Sequence, residues 1–201
     1  MFGTLAMAFT IALAGGTTLY PPVGGYVPVG FGAYYGAFHD VTPIQSLPSP
    51  YLAAPIELGV TESAAGVEIE NNLDGNPTRI KVTNSGIYNI QFSIQFAKTT
   101  SQAAEVELWL TKNRESGNGD VDASAGYFTV PGQHGALNGH EVAAYNLFTD
   151  MEAGDYVEFM WYSADPTGII IETVPAIAPV PGVTPGIPAS PGAIVTVTQV
   201  R

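Results

Sequence analysis

The stretch Gly86–Lys98, GIYNIQFSIQFAK, constrains the fold more than any other part of the chain. Tyr88, Ile90, Phe92, Ile94 and Phe96 alternate with Asn89, Gln91, Ser93 and Gln95. Successive side chains of a strand point to opposite faces, so this pattern predicts a long strand with one face in a core. The other face is amide and hydroxyl with no charge. Two readings fit it: a sheet side that touches another protein surface, or a solvated side that happens to carry few charges.

Shorter runs repeat the period on both sides of this strand. YYGAFHD, Ile56–Thr61, Val67–Glu70, Arg79–Thr83, EVELWLTKN, Gly126–Val130, Val142–Thr149, YVEFMWYS, Ile169–Ile171 and AIVTVTQV each read as strands. NNLDGNP, Asn84-Ser85-Gly86, SGNGD, PGQHGALNG and EAGD between them are turn or loop chemistry. With 12% charged residues, 23 Gly and 16 Pro the chain is poor in helix-forming charged residues and rich in turn formers, which fits one all-β domain with an appended arm. In EVELWLTKN, Val106, Leu108 and Leu110 are expected inward, with Glu105, Glu107 and Trp109 outward. In YVEFMWYS, Val157, Phe159 and Trp161 are set against Tyr156, Glu158, Met160 and Tyr162. Trp109, Tyr145, Tyr156 and Tyr162 are more large aromatics than one small core needs, which makes them candidates for a subunit interface.

Two segments stand apart. Residues 1–39 contain no charged side chain, and Asp40 is the first. FGTLAMAFTIALA resembles the apolar part of a secretion signal, with Ala12-Leu13-Ala14 like a cleavage site. No basic residue precedes it and Met1 is retained, so a leader that stays on the protein is expected. The apolar run of roughly 13 residues is well short of the ~20 needed for a membrane span. TTLYPPVGGYVPVGFGAYYGAF then mixes aromatics with Gly and Pro and cannot build a core of its own. Fully extended, this arm reaches on the order of 100 Å. Phe2, Leu5, Phe9, Leu13, Tyr20, Tyr26 and Phe31 are its candidate anchors, either on another chain or folded back on the domain. The second segment, Pro175–Gly192, is expected to form an extended polyproline II loop that breaks all pairing before the last strand.

Chemistry is sparse. With no cysteine there are no disulfides and no thiolate metal site. A net charge of −12 with six scattered basic residues speaks against nucleic acid. His134 and His140 lack a third metal ligand at a recognisable spacing. Asp120 and Asp122 form half a calcium-loop pattern without its terminal Glu, Glu68/Glu70 and Glu105/Glu107 share single strand faces, and no serine sits in a nucleophile elbow. The expectation is no enzyme, no cofactor and no metal.

The order of SGIYNIQFSIQF, VELWLTKN and EAGD leading into YVEFMW resembles the trimeric jelly-roll heads of complement one-q and tumour necrosis factor. With the YGAF start and the PGAIVTVTQV end, residues 34–201 are also similar to virion structural proteins of marine tailed bacteriophages, especially those of cyanobacteria. The resemblance implies a jelly-roll β-sandwich acting as a homotrimer in the virion. Its arm would grip capsid, portal or tail proteins. The Pro-rich insertion departs from the pattern. A fibre tip that binds host glycan or protein through Gly132–Asn138 and Pro175–Gly192 is the alternative, and a secreted signalling or adhesion head is a third.

Overall fold

A computed structural model describes residues 34–117, 119–183 and 185–201. The arm 1–33, with the anchor candidates Phe2, Leu5, Phe9, Leu13, Tyr20, Tyr26 and Phe31, lies outside the described residues. The strands are β1 (Tyr35–His39), β2 (Ile44–Ser46), β3 (Ala54–Pro55), β4 (Val60–Ala65), β5 (Val67–Asn71), β6 (Pro77–Val82) and β7 (Gly86–Lys98). They continue with β8 (Ala104–Lys112), β9 (Gly126–Val130), β10 (Gly139–Met151), β11 (Tyr156–Tyr162), β12 (Ile169–Glu172) and β13 (Ala193–Gln199). One 3₁₀ turn, Arg114–Ser116, follows β8.

Every strand pair is antiparallel. In the first sheet β7 carries β10 along its whole length on one side, and β13 followed by β12 on the other. Backbone bonds from Gln199 N–H to Tyr34 O and from Asp40 N–H to Ala193 O, both 2.9 Å, dock β1 beside β13. β4 lies beyond β1, and β2 beyond β12. The second sheet runs β5-β6-β11-β8-β9, with β3 on the same edge of β11 as β6. Two such sheets face to face, in this order, are a jelly-roll β-sandwich.

The alternation of β7 decides which side is dry. Tyr88, Ile90, Phe92, Ile94 and Phe96 are buried against Val106, Leu108 and Leu110 of β8 and Val157, Phe159 and Trp161 of β11. Phe92 meets Phe159 edge-on at 4.7 Å, and Phe96 tilts over Trp161 at 5.6 Å. Each such ring contributes about 1.5–3 kcal/mol by leaving water. Phe92→Ala, which opens a cavity between the layers, costs about 3–5 kcal/mol.

Several sequence expectations need correcting. Ile56–Thr61 is not a strand: Ile56 and Leu58 are buried, but their amides bond singly to Phe159 O and Pro77 O, and the ladder begins only at Val60. The short strands β2 and β3, among prolines, went unread. Glu158 and Met160 point away from the core as expected, yet both are buried: Arg114 of the turn after β8 closes over Glu158, and Met160 sits between Trp109 of β8 and Pro55 of β3. Glu158 receives Arg114 Nε–H at 2.9 Å and the Thr78 hydroxyl.

The Pro-rich segment does not break all pairing. Val174 and Ser190 exchange backbone bonds of 2.9 Å, and Ile177 and Ile187 exchange bonds of 2.9 and 3.0 Å. Polyproline II turns every three residues, so amides recur toward the partner arm at every third position. Those positions hold Val174, Ile177, Ile187 and Ser190, and the prolines fall between them. The result is a two-armed hairpin between β12 and β13.

Candidate interaction surface

The outward side of the first sheet is set by register. Phe148 lies opposite Asn89 and Asn89 opposite Thr198; Asn146, Gln91 and Thr196 form the next row, and Ala144, Ser93 and Ile194 the one after. Val142 then faces Gln95. Nothing in these rows is charged. Val142, Phe148 and Ile194 are 51%, 62% and 40% exposed, although each sits in a well-paired strand. Charge is kept to the margin, at Asp150 opposite Ile87.

The outward side of the second sheet is the opposite in character. Glu105 and Glu107 of β8, Glu68 and Glu70 of β5, and Arg79 and Lys81 of β6 lie there. Lys81 Nζ reaches Glu70 at 2.6 Å, and that hydrogen bond holds the lysine pKa above its ordinary value. The two faces of the sandwich are therefore electrostatically unlike.

Three of the four aromatic candidates lie on this charged side. Trp109 is half-buried and donates its indole N–H to Asp120 Oδ1 at 2.8 Å. Tyr156 is half-buried, with the Arg79 guanidinium 4.6 Å from its ring centre and the Glu115 amide donating to its hydroxyl at 2.9 Å. Tyr162 is half-buried opposite Glu107. Tyr145 corrects the expectation that its ring is surplus to the core. It turns inward from β10, meets Phe92 edge-on at 4.3 Å and stacks with Phe128 at 6.2 Å. Its hydroxyl donates to Ser124 O at 2.7 Å, and burial pushes the phenol pKa up. The four aromatics do not form one surface. The residues that do (Val142, Ala144, Phe148 and Ile194) were readable from the period of Val142–Thr149 and of the last strand, but aromatic size drew attention elsewhere.

The two ends of the sandwich also differ. Tyr34, Gly86, Met151 and Arg201 gather at one end, through Gln199 N–H to Tyr34 O, Ile87 N–H to Arg201 O and the Gly86–Met151 pair. Lys98, Gly139 and Gly192 mark the other, where Gln95 N–H bonds Gly192 O at 2.8 Å. The 13 residues of β7 separate them by roughly 40 Å. The loop Gly132–Asn138 lies at the Lys98 end, where Gln133 N–H bonds Thr100 O at 2.7 Å, and the hairpin leaves the sheet beside Gln95, in the half remote from Tyr34. Gln95 Nε2 fixes the hairpin root to the uncharged face through Ser190 Oγ and Pro191 O, both at 2.6 Å. A groove of about 480 Å³ between that root and β1 is lined by Ala37, His39, Glu62, Pro191 and Ile194.

No family model matches the chain, and no curated protein matches it in sequence. Among solved structures it is similar to the globular domain of zebrafish complement 1qA protein, at 10% identity and a TM-score of 0.47, over 84% of this chain and 98% of that one. Likeness at that level carries no argument about partners. The assignment of the sandwich stands on its strand order and register.

Proposed function

We propose that this chain is a non-enzymatic structural component of a bacteriophage virion, in which three jelly-roll heads associate and the uncharged arm attaches them to a capsid, portal or tail protein. The observation that carries the self-association is the charge-free outward side of β13, β7 and β10. A protein with net charge −12 brings copies together where their carboxylates do not meet, and this face is that place. Its exposed Val142, Phe148 and Ile194 supply apolar area, and its amides and hydroxyls remain able to pair across an interface. The virion setting is supported by the ordered strand motifs that resemble tailed-phage structural proteins.

Deleting residues 1–33 tests the two halves separately. The truncated chain is expected to sediment as a trimer and to be missing from particles assembled in its presence. Normal incorporation of the truncated chain would refute the tether, and a monomer at high concentration would refute the association.

A second reading, a tip that binds a host glycan or protein, is favoured by one observation. Gly132–Asn138 and the root of the Pro-rich hairpin both lie in the half of the head remote from Tyr34, the side an anchored head would present. A glycan array with variants in both loops distinguishes it.

A further inference from the structure

The segment from Val174 to Ala189 has a backbone course of its own and an unusual surface. Apart from Thr184, which is not described, every residue in it is exposed, so the hairpin stands clear of the sandwich. Val174, Ile177, Val180, Val183 and Ile187 are 39–76% exposed. Each arm extends about 20 Å at the polyproline II rise. An isolated two-stranded ribbon is marginal in water, and this one is bridged only at every third residue. The amides of Ala176, Ala178, Gly186 and Ala189 find no backbone acceptor among the described residues. The ribbon therefore has apolar side chains and unspent donors on its flanks, much like the edge of a sheet.

We infer that the hairpin docks on the same hairpin of neighbouring copies, gathering into a shared apolar bundle beside the uncharged sheet face. This rests on the trimer proposed above and goes beyond it, because the sandwich can associate through its sheet face without any contact between hairpins. Two features favour a second copy as the occupant. No residue from Thr173 to Gly192 is charged, so like hairpins approach without the repulsion that net charge −12 imposes elsewhere. The root is continuous with the uncharged face, since Gln95 of that face holds Ser190 and Pro191 directly.

The absence of native cysteine makes the test direct. Val183→Cys, at the hairpin tip, is compared in the full chain with Leu73→Cys, an equally exposed site on the turn between β5 and β6. Under mild oxidation Val183→Cys is expected to crosslink at least tenfold faster, at a rate that does not change when the trimer is diluted. Replacing residues 175–189 by a short Gly-Ser turn is expected to raise the trimer dissociation constant at least tenfold. A trimer in which Val183→Cys crosslinks no faster than Leu73→Cys overturns the hairpin contact and leaves the sheet-face trimer standing. A chain that stays monomeric overturns both.

Discussion

Lys98, the last residue of β7, is wholly buried, and its ammonium donates to the carbonyl oxygen of Thr167 at 2.5 Å. It also lies 3.2 Å from a carboxylate oxygen of Asp165, which is half-exposed and whose pKa that contact lowers. The alternation of β7 aims this side chain into the sandwich at its far end, so the amine serves as a peg for the turn 163–168. Thr99 N–H to Gly168 O closes the same turn at 2.8 Å.

Replacing Lys98 by Met keeps the stem and removes the donor. The Thr167 carbonyl then has no partner, and the head is expected to lose about 1–3 kcal/mol. Asp165→Asn, at a solvated position, is expected to shift the thermal midpoint far less. Melting curves of the two variants check this, and equal losses would assign the peg to the ion pair instead.

Arg114 and Glu158 give a different test. Glu158 is fully enclosed, whereas the Arg114 side chain is 36% exposed. Arg114→Ala strands a buried carboxylate and is expected to cost ~2–3 kcal/mol, below the range for a fully enclosed pair because water reaches the arginine. Adding Glu158→Gln should recover part of that loss. A double-mutant cycle in urea measures the coupling, and strict additivity would show that the two residues act independently.

Acid should loosen the end of the sandwich that holds Tyr34. Burial alone would raise the Asp155 pKa. Lys112 Nζ at 2.8 Å, Asn113 Nδ2 at 2.7 Å and the Glu152 amide at 2.8 Å outweigh it and hold the carboxyl below its ordinary value. A depressed folded pKa contributes stability that is complete above the unfolded value near ~3.9 and is lost as pH falls through the folded one. Asp155→Asn is therefore expected to make urea midpoints fall less steeply between about pH 5 and pH 2 than they do in the wild type.

The uncharged face makes a prediction about assembly alone. Ala144→Glu and Phe148→Glu project into solvent from well-paired positions of β10, so the isolated head should fold as before. Each is expected to weaken trimer formation at least tenfold, read by sedimentation. Glutamate at Tyr127, 71% exposed on β9 of the charged sheet, is expected to leave it unchanged.

Much of this was legible in the chain because strand period is a local signal. The inward sets of β7, β8 and β11 follow from counting by twos, and so does the outward set of β10. What escaped was non-local. Nothing near Glu158 in sequence announces Arg114, and Tyr145 looked surplus because the gap between β9 and β10 that takes its ring exists only once both sheets are in place. The hairpin was misjudged for a different reason. Counting by twos misses a ladder that repeats by threes.

The partition of β7 bears on how the head yields to force. Its thirteen residues are zipped to β10 on one margin and to β13 and β12 in succession on the other, so none of these three strands can peel away without disturbing the one they share. Tension arriving through Tyr34 reaches β1, which lies alongside β13, so the load runs along the strands and strains the bonds at Tyr34 and Asp40 together. A head pulled on its tether would resist in shear at β1 before the strands zipped to β7 are strained.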